Sequence, residues 1–249
     1  MPSIYLSPST QEFNLYVGEN GSEEYYMNLI ADAMEPYLNA SGISYTRNTP
    51  EMTAASSIAQ SNAGNYDLHL ALHSNAAAPQ YAGTARGVEV YYYPNSVEGM
   101  RAAEIIANNL RLIYPLPDRV RTVPTTTLGE VTRTRAPSVL IEFAFHDNYA
   151  DANWIKSNIE KIARYTVLAL CEYFGIPFNL PQQVRTGRVD TENGGGVNIR
   201  ADPNIYSQVL TTVPDGATIT IYAEVPDWYV VRYGEIEGYM NKEYVDVDD

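Results

Sequence analysis

Apolar positions recur at helical spacing in three stretches of the chain. Between Ser22 and Asn39, the residues Met27, Ile30, Ala31, Met34 and Leu38 share one side of a helix, and Ser22 stands where an N-cap belongs. A second helix is predicted from Val97 to Ile113 through Met100, Ala103, Ile106 and Leu110. A third runs from Ala150 to Phe174 and stops at Gly175, just ahead of Pro177. Between them lie short β-type runs: "SIYL", "DLHLALH", "GVEVYYY" and "SVLIEFAF". Strands alternating with helices of this length predict an α/β fold whose mostly parallel sheet is flanked by helices. Beyond Phe174 the helical period disappears. "PFNLPQQVRT" has a linker's composition, and "GRVD", "VNIR", "TITIYAE", "WYVVRY" and "GYMN" follow, separated by turn residues such as Pro214-Asp215-Gly216 and Gly238. The division expected is a first domain over 1–176, a linker over 177–186 and a small all-β barrel over 187–249.

A chain of 249 residues has room for both. With 16 basic and 30 acidic side chains its formal charge is −14, which argues against nucleic acid as a partner and against electrostatic adsorption to anionic membranes. Beyond Phe174 there are five basic and twelve acidic residues, so neither half is a polyanion binder. The single cysteine, Cys171, excludes an internal disulfide and a cysteine-based zinc cluster, and in "VLALCEYFG" it reads as a buried thiol. No apolar run is long enough for a bilayer span, and "MPSIYLSPSTQ" has no signal-peptide pattern.

Candidate chemistry gathers at two strand ends. In "DLHLALHSNAA", His69 and His73 share a strand face, and His73 stands where the strand leaves for a loop. Sites in open α/β sheets lie at such carboxyl ends. His69, mid-strand, reads as a hydrogen-bonded core histidine. In "SVLIEFAFHDN" a glutamate, Glu142, interrupts an apolar run, and His146 follows four residues later with Glu142 and Ala144 on its face. Glu23 and Glu24 open the first helix, where the dipole favours negative charge. A histidine, a helix-start glutamate and a strand-end glutamate are together the parts of a metal-assisted hydrolase.

At these residues the first domain resembles the zinc-dependent N-acetylmuramoyl-L-alanine amidases common among autolysins and phage endolysins. The carrying segments are "IYLSPS", "GSEEYYMNLIADAM", "LHSNA", "RGVEVYYYP" and "APSVLIEFAFHDN", in family order over residues 4 to 175. The resemblance implies one Zn2+ per chain, with Glu24, four residues before Asn28, as metal-binding glutamate and His73 as metal-binding histidine. It also implies Glu142 as the catalytic glutamate, and Asn75 is a candidate substrate-binding residue. The departure lies at the first strand, where the family's Gly-His pair supplies a further ligand and this chain has Ser9 and Thr10. Gln11 is the replacement by loop position and His146 by ligand chemistry, with Glu12 or a lost metal as the remaining readings.

The segment from Gly187 to Val247 resembles bacterial SH3-like wall-binding modules, through "GGGVNIRADPN", "VPDGATITIYAE", "DWYVVRY" and "EGYMNKEYV". Trp228, Tyr229 and Tyr233 are candidates to line a groove for peptidoglycan peptide. The implied function is a peptidoglycan hydrolase, an endolysin or autolysin, that reaches the wall after cell lysis or by secretion. The alternatives are a non-catalytic wall-binding protein on a decayed amidase scaffold and a stem-peptide metallopeptidase.

Overall fold

The computed structural model describes residues 1–18, 21–192 and 194–247. Six strands form the first sheet: β1 (Ser3–Pro8), β2 (Ser44–Arg47), β3 (Leu68–Asn75), β4 (Val88–Tyr92), β5 (Val120–Pro124) and β6 (Ser138–Phe145). Their order is β2-β1-β3-β6-β4-β5. The pairs β1/β3, β3/β6 and β4/β5 are parallel, and β4 runs antiparallel to β6. The central strands β3 and β6 are buried over nearly their whole length, as unbroken apolar runs require when helices cover both faces.

The helices are α1 (Glu23–Ser41), α2 (Ala54–Ala63), α3 (Val97–Arg111), α4 (Gly129–Thr132), α5 (Tyr149–Ser157) and α6 (Ile159–Phe174). Met27, Ile30, Ala31, Met34 and Leu38 of α1 are fully buried, as their spacing requires. The expected third helix breaks at Asn158 into α5 and α6, and α6 ends on Gly175 in the left-handed conformation (φ 69°). Helix α2 has no apolar stripe to announce it. Its sequence, "AASSIAQSNA", is started by a capping box between Thr53 and Ser56.

One irregularity positions the site. In the β3/β6 ladder His73 faces Glu142, but Asn75 faces Phe145, so β6 carries one extra residue there. Ala144, fully buried within this bulge, takes φ 66°, which a side chain with a Cβ adopts only under strain. Replacing Ala144 with Val should therefore cost at least about 1–3 kcal/mol in urea unfolding, since branching worsens the left-handed conformation and crowds the core. Ala144→Gly should cost little, and equal losses for the two variants would remove the strain account.

Beyond α6, β7 (Arg185–Val189), β8 (Val197–Arg200), β9 (Val209–Val213), β10 (Thr218–Val225), β11 (Trp228–Tyr233), β12 (Ile236–Asn241) and β13 (Val245–Val247) form a second sheet. All of its recorded pairings are antiparallel, in the order β13-β7-β10-β11-β12-β8-β9. Its core includes Val189, Ile199, Val213, Ile219, Ile221, Val231 and Met240. The chain divides into two compact units, one of Ser3–Glu35 with Tyr45–Ile176, the other of Met1–Pro2, Pro36–Ser44 and Pro177–Asp249. Every residue of the amidase-type constellation lies in the first.

Trp228, Tyr229 and Tyr233 do not share one face. Trp228 is buried in a cluster with Tyr222, Val230 and Tyr239. Tyr229 and Tyr233 pack, partly covered, on the other core. Arg185 and Lys242 stand over the Tyr229 ring at 5.6 and 5.4 Å. A groove of about 950 Å3 is lined by Trp228 with Asn198, Arg200, Glu243 and Tyr244 among others. Trp228→Ala should thus act first on stability, by about 3–5 kcal/mol. A Trp228→Ala protein that unfolds like wild type yet loses wall binding would make it a contact residue instead.

Candidate active site

The site is built from the C-terminal ends of β1, β3 and β6 and the first residue of α1. His73 is the hub. Its Nδ1 lies 2.8 Å from Glu23 Oε1 and its Nε2 3.0 Å from Glu130 Oε2. Glu23 is held in place from both sides. The backbone N–H of Glu23 donates to the Asn14 carbonyl at 2.8 Å, and the Asn14 amide donates to Glu23 Oε2 at 2.7 Å. Gln11 completes the corner, its Nε2 standing 3.4 Å from both Glu23 Oε1 and His73 Nδ1.

The electrostatics follow from this packing. Burial raises the Glu23 carboxyl, but the bond to His73, its charge and the Asn14 amide outweigh burial and hold it below the usual carboxylate range. Burial would depress the His73 imidazole, yet Glu130 and Glu23 together raise it well above its ordinary value. Glu142 faces the opposite case. Its Oε2 is buried with no hydrogen-bond partner. Burial first, then the negative charge of Glu23 and Glu89, push its carboxyl up to about 8 against the pull of His73. Glu89, its neighbour across the β4/β6 ladder, is satisfied by Tyr91 Oη at 2.5 Å, Arg121 at 2.5 Å and Asn75 Nδ2 at 3.1 Å. Beside His73 a cavity of about 350 Å3 opens, lined by Pro8, Gln11, Phe13, Asn48 and Met52 among others.

Several sequence-predicted residues sit elsewhere. Glu23, not Glu24, meets His73. Glu23 precedes Met27 and Ile30 by four and seven residues, so it shares the buried face of α1, whereas Glu24 is turned partly to solvent. His146 is withdrawn by the bulge, which breaks the alternation that would have aligned it with Glu142. Its Nδ1 donates to the Ser74 carbonyl at 2.8 Å and its ring stacks on Tyr16. Asn75 donates to Glu89, and its Oδ1 accepts from the Ala76 N–H. His69 is fully buried between Ser61 Oγ at 2.9 Å and Glu130 Oε1 at 3.3 Å. Glu130 and Glu89 had no sequence signal, since "TLGEVTRT" and "RGVEVYYYP" show only a glutamate in a polar loop and one in a strand.

Among the described residues no group of three or more His, Cys, Asp or Glu side chains is arranged for a metal ion. The donors that converge are one carboxylate, one imidazole and one amide, from Glu23, His73 and Gln11. Their separations of 2.8, 3.4 and 3.4 Å are near the edge of a zinc tetrahedron, about 3.3 Å for bonds of about 2.0 Å. Turning the Gln11 amide by half a turn presents Oε1 instead of Nε2, at the loss of its 3.2 Å bond from Asn14. With the amide so turned, one carboxylate, one imidazole and one amide oxygen would supply the three protein ligands that a catalytic zinc takes.

Residues 15–172 match the family model of N-acetylmuramoyl-L-alanine amidases. The chain belongs to that family. The match begins after β1 and the loop that lacks the Gly-His pair. A bacterial SH3 domain model matches residues 195–246. Among solved structures, the amidase CwlD of Clostridioides difficile, in complex with the GerS lipoprotein, is 16% identical. That likeness covers 70% of this chain and 99% of that one, with a TM-score of 0.62. AmiC2 of Nostoc punctiforme gives 15%, 70%, 97% and 0.61. The catalytic domain of the CD27L endolysin targeting Clostridia Difficile gives 21%, 69%, 98% and 0.55. At these identities the likeness establishes the amidase fold. No curated protein matches the chain. By family the chain is a peptidoglycan amidase with an SH3-type sheet, and no helix among the described residues is long and apolar enough to cross a membrane.

Proposed function

We propose that this amidase is zinc-dependent and cleaves the amide between N-acetylmuramic acid and L-alanine, with the SH3-type sheet holding it to the wall. One zinc would be held by Glu23, His73 and Gln11. When bound, zinc supplies a Lewis acid that polarises the scissile carbonyl and makes a water molecule easier to deprotonate. Glu142 carries the proton. Its unpartnered Oε2 opposite His73 takes a proton from the attacking water and delivers it to the leaving amine of L-alanine. Burial suits the task, because a carboxyl raised toward neutrality both accepts and returns a proton near physiological pH.

The observation that carries this reading is the half-buried Glu142, whose Oε2 is covered and has no hydrogen-bond partner. A covered carboxylate oxygen without a partner is costly, and a protein with only a binding role has no physical use for one there. The zinc-loaded chain, given a soluble muramoyl-peptide, should release peptides with new L-alanine amino termini and leave the glycan intact. Amino termini from within the stem peptide would make it a peptidase, and wall binding without any product would make it a decayed scaffold. The site of action is the wall, reached by cell lysis in an endolysin or autolysin, or by secretion.

A further inference from the structure

One buried carboxylate is not used by that mechanism. Glu130, on the short helix α4, is 6% exposed, and its ion-pair partners among the described residues are two histidines. Its two oxygens divide their work. Oε1 accepts from Ser7 Oγ at 2.5 Å and stands 3.3 Å from His69 Nε2, while Oε2 faces His73 Nε2 at 3.0 Å. Ser7 and His69, which lie outside the constellation of Glu23, Gln11 and Glu142, both reach Oε1. The second oxygen is given to the ring that forms the centre of the site.

We propose that Glu130 is a positioning residue: it fixes the His73 ring with Nε2 as the hydrogen-bond donor, and so directs Nδ1 toward Glu23 and Gln11 as the metal ligand. The proposal rests on the zinc-amidase reading and adds a residue to it. Carboxylates face both ring nitrogens, Glu23 at Nδ1 and Glu130 at Nε2; once a cation engages Glu23, the neutral imidazole has one N–H and one lone pair, and Glu130 keeps the proton on Nε2 so that Nδ1 meets the cation. An anion on the far side also strengthens the ring as a donor. That matters more in this chain than in one with two imidazole ligands, because the amide oxygen of Gln11 is a weak donor. It also explains the spacing in "DLHLALH". His69 and His73 share a strand face because both lean on the same carboxylate.

The test uses the full chain and zinc affinity measured by competition with a chromophoric chelator. Glu130→Leu keeps much of the volume and removes the acceptor, and should weaken zinc binding about ten- to a hundredfold. Glu130→Gln retains an acceptor oxygen and should fall between it and wild type. Ser7→Ala removes a partner of Oε1 only, and should leave zinc affinity within about twofold of wild type. Wild-type protein labelled with nitrogen-15 and loaded with cadmium-113 should show metal coupling to His73 Nδ1 and a retained Nε2–H proton. That spectrum decides the matter even if the Glu130 variants fail to fold. Zinc bound equally by wild type and Glu130→Leu, or cadmium coupling to Nε2, would overturn the proposal and leave the amidase reading standing. A wild-type chain that binds no metal would overturn both.

Discussion

Glu142→Gln should abolish wall hydrolysis and, in the metal-free chain, raise stability above neutral pH. The first effect follows from the loss of the proton carrier. The expected fall in rate is at least about a hundredfold, with zinc affinity and fold retained. The second follows from linkage. Burial moves the Glu142 carboxyl from 4.5 to about 8, so the unfolded chain releases this proton at a lower pH than the folded one. Stability contributed by the protonated folded form is complete below pH 4.5 and is lost progressively as pH rises to about 8. Gln has no proton to release. Its advantage should be absent at pH 4, grow through the window and be complete above pH 8, by a few kcal/mol at about 1.4 kcal/mol per pH unit. Urea unfolding of the chelator-treated protein at pH 4, 6 and 9 checks this. A variant less stable than wild type at every pH would mean that Glu142 is a structural group.

The second large effect concerns the metal corner. His73→Ala should abolish zinc binding, since it removes the hub that both Glu23 and Glu130 face. Gln11→Ala should weaken it at least about tenfold, and Glu23→Gln more than that, because a neutral amide replaces the only charged ligand. His146→Ala should leave zinc affinity unchanged while lowering thermal stability, because its ring stacks on Tyr16 and its Nδ1 bonds Ser74. Glu24→Ala should change neither. Equilibrium dialysis against zinc separates these outcomes. Loss of zinc in His146→Ala with retention in Gln11→Ala would return the third ligand to the histidine.

Much of this arrangement is legible in the sequence. The runs "DLHLALH" and "SVLIEFAF" are adjacent central strands, and His73 faces Glu142 across them in parallel register. What pattern could not supply was local geometry. A single extra residue at Ala144 reverses the alternation beyond Glu142, and sequence carries no mark of it, because alanine is not a residue that advertises a left-handed backbone. The choice between Glu23 and Glu24 was open to the wheel of α1, whose buried side includes Glu23, but spacing to Asn28 pointed one residue on. Glu130 was invisible for a different reason. Its partners lie 57 to 123 residues away, and only the fold brings its loop over the end of β3. Of the aromatic candidates in the second sheet, Trp228 lines the groove, while its neighbour Tyr229 points to the opposite side of β11.

The central claim is a single zinc held by one imidazole, one carboxylate and one amide oxygen. X-ray absorption at the zinc edge, on full-length protein with metal content measured by elemental analysis, tests it most directly. The expected result is about one zinc per chain with a single imidazole in its first coordination shell and oxygen donors completing it. Two imidazoles in that shell, or a chain that retains no zinc after reconstitution, would contradict it.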